Sequence, residues 1–252
     1  MRLKELLPTS LGSDEIREQF ARDILRRSVF SARMECARYL ADVRDVAVRM
    51  LEGTLDQASA RDRLEGVLER MGHSMDDEGG LKNPASIRRL DLILETQTQM
   101  AASVARLQGQ TPAVVEEWPA WKLERVEGRS LPRKDWLARW NLAGQSVGWE
   151  GAVARPIYGD ATAYCFLALK SSPIWQALGD GVGGFRDTLG NPFPPFAYSS
   201  GMGWTDVSRR ECIELGLEPD GKPVEAGSLA PSEDEIEEVA RRFGFGDFGE
   251  GL

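Results

Sequence analysis

Hydrophobic residues recur at helical spacing through roughly the first 110 residues of the chain. The pattern predicts four helices, and three of them follow residues that favour an N-cap: Ser13, Thr54 and Asn83. The second helix is expected over residues 31–52 and the fourth over residues 83–108. Three glycines are placed to end the last three helices: Gly53, Gly72 and Gly109.

The pattern changes in the second half of the chain. Near-alternation of Trp121, Leu123 and Val126 with polar residues predicts a strand over residues 120–127, and a continuous apolar run predicts a second over residues 162–169. Ser130 is expected to cap a helix that ends at Gly144, and another short helix should follow Pro173. The glycine-broken residues 145–159 are expected to form a loop.

These elements predict an α+β protein with three parts. A helical N-terminal region covers residues 1–80 and ends in a polar hinge with Gly79 and Gly80. A small mixed domain over residues 83–217 holds a short β-sheet flanked by helices. Residues 218–252 form an acidic tail with one short helix.

Residues 189–204, which we call the strap, are rich in both proline and aromatic residues. Pro192, Pro194 and Pro195 remove backbone donors and disfavour helix. Phe193 and Phe196 carry too much apolar surface to be left in water. We therefore predict an extended segment packed over the sheet. A short helix should follow, because Ser208 and Glu211 have capping-box spacing.

The strap also carries a family resemblance. Its Asn-Pro-Phe-Pro-Pro-Phe-Ala motif, followed by Ser-Gly-Met, resembles the C-terminal end of the tailed-phage head morphogenesis (Mu F-like) minor head proteins, in a divergent, prophage-type branch. A helix with Glu95 and Thr96 and the strand at Trp121 agree with the same family, so the resemblance covers residues 83–217. The motif residues are Glu95, Thr96, Asn191, Pro192, Phe193, Pro194, Pro195 and Phe196.

The resemblance implies a structural role rather than a reaction. Such proteins are minor components of the phage head, assembled in the host cytoplasm and located in the virion. They act with the portal protein and other capsid proteins at one vertex, in head assembly and in DNA packaging or delivery. Many members also carry a histidine within this domain and end in an Asn-Cys-Arg-Cys-like motif. This chain has neither, so no role of those residues is transferred to it.

Charge is unevenly distributed along the 252 residues. The net charge is −9, and residues 218–252, with ten acidic and three basic residues, contribute −7 of it. A nearly neutral body argues against a general DNA-binding protein, although it allows a local basic patch. No apolar run approaches the ~20 residues of a membrane span, so we expect a soluble protein with no membrane partner.

One basic patch stands out between residues 122 and 139. It contains six cations: Lys122, Arg125, Arg129, Arg133, Lys134 and Arg139. Three acids and the tryptophans Trp121, Trp136 and Trp140 are interleaved with them. Two interpretations stay open. The tryptophans are core residues and the charges are structural, or the patch makes a weak, sequence-independent contact with DNA or an acidic partner.

Catalytic chemistry has little support in the sequence. His73 is the only histidine, and Cys36, Cys165 and Cys212 are scattered without a CxxC pair. We therefore expect no catalytic residue, no metal site and no cofactor. Two alternatives to the head protein remain: a helical adaptor that binds a phage or host protein through its acidic tail, and a phage-borne transferase.

Overall fold

The computed structural model describes residues 5–11, 15–16, 28–29, 31, 34–73, 83, 86–128, 133–157 and 160–224. These residues contain seven helices and a four-stranded antiparallel sheet, so the predicted α+β class is confirmed. The hinge at residues 74–82, Arg129, Ser130 and the tail beyond Val224 lie outside the described residues.

Three helices build the N-terminal part: α1 (Ala37–Leu51), α2 (Gln57–Arg70) and the first half of α3 (Ile87–Gln108). Their shared core is apolar and includes Tyr39, Leu40, Val43, Leu64, Leu68, Leu90 and Leu94. Near the chain start, β1 (Glu5–Leu6) pairs in parallel with β2 (Ser28–Val29). The sequence pattern did not predict this two-stranded sheet.

The helix starts differ from those predicted. Helix α1 begins at Ala37 rather than residue 31. The N-cap of α2 is Asp56, whose carboxylate accepts the backbone N–H of Ser59 at 3.0 Å, whereas the hydroxyl of Thr54 donates to the Arg49 carbonyl. Ser86, not Asn83, caps α3. Several residues able to cap precede each helix, and only the backbone geometry selects one of them.

Helix α3 links the N-terminal core to the sheet. Leu90 and Leu94 pack against α1 and α2, whereas Met100, Val104 and Leu107 belong to the core under the sheet. Ile87, the first residue of this helix, is 46% exposed. The domain boundary was predicted at residues 74–82, before α3. The first half of α3 packs in the N-terminal core and its second half in the core under the sheet.

The sheet has the strand order β4-β5-β3-β6. Strand β3 (Ala120–Arg125) and strand β5 (Asp160–Leu169) agree with the two predicted strands. Two other strands were missed, because β4 (Ala152–Ile157) lies in the predicted loop and β6 (Met202–Val207) includes the end of the strap. All neighbouring strands are antiparallel, with Leu123 opposite both Phe166 on β5 and Trp204 on β6.

The remaining helices are α4 (Pro112–Glu117), which was not predicted, α5 (Trp136–Ser146), α6 (Ile174–Gly179) and α7 (Arg209–Glu214). Helix α5 extends beyond Gly144, the predicted end, and its N-cap is Asp135. Ser208 caps α7 as predicted, accepting the N–H of Glu211 at 3.3 Å.

The two faces of the sheet are covered differently. The main core lies on one face, beneath α5, α6, the second half of α3 and the strap. The opposite face carries a smaller cluster of Ala120, Leu167, Leu169, Val207, Cys212 and Leu217, which packs around α7. Alternation along β3 sends Trp121, Leu123 and Arg125 toward the main core and Lys122 and Glu124 to the α7 face.

Candidate functional site

The strap is a built part of the main core. Phe193 and Phe196 are 1% and 0% exposed, which confirms their predicted burial. The Phe196 ring lies 6.0 Å from both Trp175 and Trp204, centroid to centroid. Trp204 in turn stacks on Trp121 at 3.8 Å. The family-type motif therefore joins α6 and two strands into one aromatic cluster.

Local hydrogen bonds fix the path of the strap. Asn191, fully buried, donates its side-chain amide to the Phe193 carbonyl at 2.6 Å. The Leu189 N–H donates to the Phe196 carbonyl at 2.9 Å, and the Ser200 hydroxyl donates to the Pro195 carbonyl. The peptide bond between Pro194 and Pro195 is cis. These bonds satisfy backbone groups that no regular ladder reaches.

Two non-glycine residues of the strap have left-handed backbone conformations. Phe196 has φ 53° and Ser199 has φ 48°. Each such conformation costs on the order of 1–3 kcal/mol for an L residue, and the surrounding packing must offset that cost. Phe196 is 0% exposed, so burial of its ring in the main core offsets the cost of its backbone conformation.

Three arginines anchor the two ends of the strap. Arg125 donates to the Ser200 carbonyl at 3.0 Å and Arg133 donates to the Tyr198 carbonyl. Arg139, only 5% exposed, binds both carboxylate oxygens of Asp187, at 2.9 and 3.0 Å, and also binds Asp135. Both bonds to Asp187 come from the same guanidinium nitrogen, Nη2, and such a charge-assisted contact is stronger than a hydrogen bond between neutral groups. Asp187 lies just before the strap, so the pair fixes the entry of the strap.

The Arg139 guanidinium is also enclosed by aromatic rings. Its central carbon lies 4.1 Å from the Phe185 ring centroid and 5.3 Å from that of Trp136. A cation that is paired, stacked and buried has a structural role, and phosphate cannot reach it without displacing these partners.

The structure places five of the six cations of the predicted basic patch, and Arg129 lies outside the described residues. Lys122 lies on the α7 face, where its ammonium is 2.8 Å from Glu124 and this hydrogen bond raises its pKa. Arg125, Arg133 and Arg139 lie on the strap side with internal partners. Lys134 is exposed. The patch predicted from charge counting therefore does not form one continuous surface.

Arg186 and Asp187, which were not among the predicted site residues, complete the strap side of this patch. Asp187 bridges Arg133, at 2.8 Å, and Arg139, while Arg186 beside it is exposed. An Arg-Asp pair directly before the proline-rich motif was the available signal. The importance of Asp187 is clear only from the fold, which places Arg133 and Arg139 next to it.

A second polar network braces α3 against the edge of the sheet. The Lys170 side chain is 0% exposed, and its ammonium lies 2.9 Å from Asp206 and 2.6 Å from the Gln110 amide oxygen. Arg106 on α3 also binds Asp206, at 2.5 Å, and donates to the Trp204 carbonyl at 2.6 Å. The indole N–H of Trp121 donates to the same carboxylate at 2.9 Å.

This network perturbs both titrating partners. Burial lowers the pKa of Lys170, although its hydrogen bond to Asp206 opposes the shift. Burial alone would raise the pKa of Asp206, but hydrogen bonds from Lys170 and Arg106 outweigh it and hold the pKa below its usual value. Arg106 also occupies the outer edge of β6, so the carbonyl of Trp204 does not remain an open edge acceptor.

Glu95 and Thr96, the two residues outside the strap on which the resemblance rests, lie near the middle of α3. Thr96 is buried and Glu95 is partly exposed. The side-chain amide of Gln99 donates to Glu95 at 3.4 Å and also to Glu127, just after β3. Glu95 therefore takes part in a polar contact where α3 passes from one core to the other.

The three cysteines are free thiols. Burial raises the pKa of Cys165 and raises that of Cys212 to about 11, so both thiols are protonated at neutral pH. His73 follows α2 and is partly exposed. Across the described ranges, no group of three or more His, Cys, Asp or Glu side chains is arranged to hold a metal ion. Nor is any helix within them long and apolar enough to span a bilayer.

The geometry thus defines a rigid aromatic strap held by two ionic networks, one centred on Asp187 and one on Asp206. Comparisons with protein-family models, curated proteins and solved structures found no match to this chain.

Proposed function

We propose that this chain is a structural minor head protein of a tailed phage or prophage, which acts with the portal protein at one capsid vertex during head assembly. The proposal rests on one observation, the burial of the Asn-Pro-Phe-Pro-Pro-Phe segment in the core of the sheet domain. Asn191, Phe193 and Phe196 are all buried and organise the core of the sheet domain. The residues that resemble the family are thus the ones on which this domain depends.

The distribution of charged side chains supports the same proposal. Asp187 and Asp206 each bind two cations and tie separate segments of the chain together. Their partners come from α3, α5, the residues just before α5, and the residue just after β5. Ion pairs that each contain a partly or fully buried cation hold these segments together, as suits a scaffold that has to keep its shape while it assembles with other proteins.

Particle composition tests the proposal directly. Phage particles are purified on a density gradient from the host that carries this gene, and their proteins are quantified by mass spectrometry. We expect this chain in the particles at far lower copy number than the major capsid protein. Mixing the purified chain with the portal protein encoded in the same cluster should also give a complex that co-elutes on gel filtration.

The same experiment separates the alternatives. An adaptor that works through its acidic tail would be found in soluble complexes and would be missing from purified particles. Absence from the particles together with no binding to the portal protein would reject the proposed function. A portal gene and a terminase gene upstream of this one would agree with the proposal.

A further inference from the structure

The ion pair between Arg133 and Asp187 brings two exposed cations to one edge of the strap. Arg133 and Asp187 are 2.8 Å apart, nitrogen to oxygen. Lys134 directly follows Arg133, and Arg186 directly precedes Asp187, so the pair brings the backbone positions of these two exposed cations close together. Within the described part of the chain, neither Lys134 nor Arg186 has an ion-pair partner. We call Arg133, Lys134 and Arg186 the strap rim.

One partly exposed aliphatic side chain, that of Leu142, lies near the strap rim. The glycine turn that leads into Phe185 and Arg186 lies against α5, because a Cβ atom on Gly183 would be 2.5 Å from the Leu142 side chain. Leu142 is itself 36% exposed. The rim therefore combines exposed positive charge with a neighbouring aliphatic side chain, which suits a partner that is both acidic and amphipathic.

The chain carries a segment with this chemistry outside the described residues. Residues 225–252 contain eight acidic and two basic residues, and five of the acids fall between positions 233 and 238. Ile236, Val239 and Phe243 are interspersed at helical spacing. We propose that this C-terminal segment binds the strap rim of its own chain, with its carboxylates on Lys134 and Arg186.

The described chain ends in a position that allows this contact. Val224 packs partly buried against the main core, and the Lys222 ammonium lies 3.8 Å from Glu150, just beyond the C-terminal end of α5. Helix α5 has 11 residues and is about 16 Å long, and Glu150 and the strap rim lie just beyond its opposite ends. Residues 225–232 span up to roughly 26 Å when extended, which is enough to bring the acidic run to the rim.

Such a contact shields the rim from other anions. Exposed charges interact weakly one by one and are screened by salt, so the segment is held by several pairs at once and is displaced at high ionic strength. The proposal does not depend on the head-protein function, since it rests on charge, reach and exposure alone.

Zero-length cross-linking of the full chain tests the proposal. A carbodiimide joins an amine to a carboxylate only when the two are in contact, and Lys134 supplies the amine at the rim. At low salt we expect peptides that join Lys134 to residues 233–238, recovered from the monomeric species. The yield should fall steeply between 50 and 500 mM salt.

Two variants sharpen the result. Arg186→Glu leaves the reactive lysine in place but puts repulsion beside it, and should lower the Lys134 cross-link about threefold or more. Arg210→Glu reverses a charge that is 89% exposed on α7 and should leave the cross-link unchanged. Circular dichroism establishes that both variants fold. The proposal is overturned if Lys134 forms no cross-link to the segment, if Arg186→Glu has no effect, or if the cross-link occurs only in species of twice the mass.

Discussion

The backbone carbonyl of Asn191 occupies the space that a Cβ atom on Gly179 would need. The N–H of Gly190 also donates to the Gly179 carbonyl at 2.9 Å, so the strap starts in direct contact with the last residue of α6. The atoms that a Cβ on Gly179 would meet are all backbone atoms of Asn191, so the clash cannot be relieved by rotating a side chain. This contact makes glycine necessary at position 179 for a steric reason.

Gly179→Ala is therefore expected to destabilise the fold by about 1–3 kcal/mol or more, because the added methyl group forces the strap away from α6. The matched control is Gly66→Ala in α2, where a Cβ would meet only Arg70 at 3.5 Å. There, alanine should stabilise the protein by up to about 1 kcal/mol through helix propensity. Urea unfolding curves measure both values, and stabilisation by Gly179→Ala would contradict the close approach.

Replacing either buried phenylalanine of the strap should be costly. Phe193→Ala and Phe196→Ala each remove a buried ring from the main core, and we expect losses of about 3–5 kcal/mol in the free energy of unfolding. Ile213→Ala on α7, where the side chain is 60% exposed, should change stability by less than about 0.5 kcal/mol. Melting like the unchanged protein in both phenylalanine variants would show that the strap is an exposed partner motif.

The Arg139–Asp187 pair should show measurable coupling in a double-mutant cycle. With Arg139→Gln, Asp187→Asn and the double variant, we expect a coupling free energy of about 1–3 kcal/mol, because the arginine is buried while the carboxylate is partly exposed. The exposed pair of Arg210 and Glu214, 3.7 Å apart on α7, provides the comparison. Its coupling should be about 0.3–0.5 kcal/mol. Equal coupling in the two cycles would remove Arg139 as an anchor of the strap.

The Asp206 network gives a defined dependence of stability on pH. Its pKa is lower in the folded protein than usual, so it stabilises the fold above the ordinary pKa of about 4. That contribution is lost as the pH falls through the lower, folded value. The destabilisation by Asp206→Asn should thus be largest near neutral pH and should shrink below about pH 4. Asp62→Asn, which removes an exposed carboxylate from α2, serves as the control for acid unfolding.

The sequence was sufficient where a local pattern decides the structure. Continuous apolar residues identified β5, alternation identified β3, and the conflict between prolines and aromatic rings predicted the buried strap. In each case the residues themselves leave one solution, since Phe193 and Phe196 have to be buried but the prolines beside them exclude a helix.

Elements decided by distant contacts were missed. Strand β6 contains Gly203, which reads locally as a turn, but the side chain of Val126 fills the space where a Cβ of Gly203 would be. Strand β4 contains Pro156, which is tolerated because β4 is an edge strand. Neither the contact of Val126 with Gly203 nor the edge position of β4 can be inferred from the residues around each strand.

Charge counting alone also could not show which cations share one face of the sheet. It placed Lys122 and Arg139 in one patch, but alternation along β3 sends Lys122 to the opposite face. Arg139 finds its main partner, Asp187, 48 residues later in the chain. Cations close in sequence therefore form a basic surface only if they lie on the same face and are not already paired with acidic residues of the same chain.

These internal pairs also change how DNA binding should be tested. Reversing Arg133 would break its bonds to Asp187 and the Tyr198 carbonyl and would disturb the strap. Lys134 and Arg186 are exposed and are the suitable positions. A chain that ends at Val224 keeps the packed part of the tail and removes a segment of net charge −6.

We expect the chain ending at Val224 to bind labelled DNA weakly, without sequence preference, and more tightly than the full chain. Binding that rests on two or three phosphate contacts should fall on the order of tenfold between 50 and 200 mM salt. Lys134→Glu combined with Arg186→Glu should remove most of the gain. Reversing Arg38 and Arg210, both exposed and outside the rim, changes the net charge equally and should remove much less. If the two chains bind DNA equally, or if neither binds it, DNA is excluded as a ligand of the strap rim. If the two double variants lose the same amount of binding, only the net charge of the protein matters.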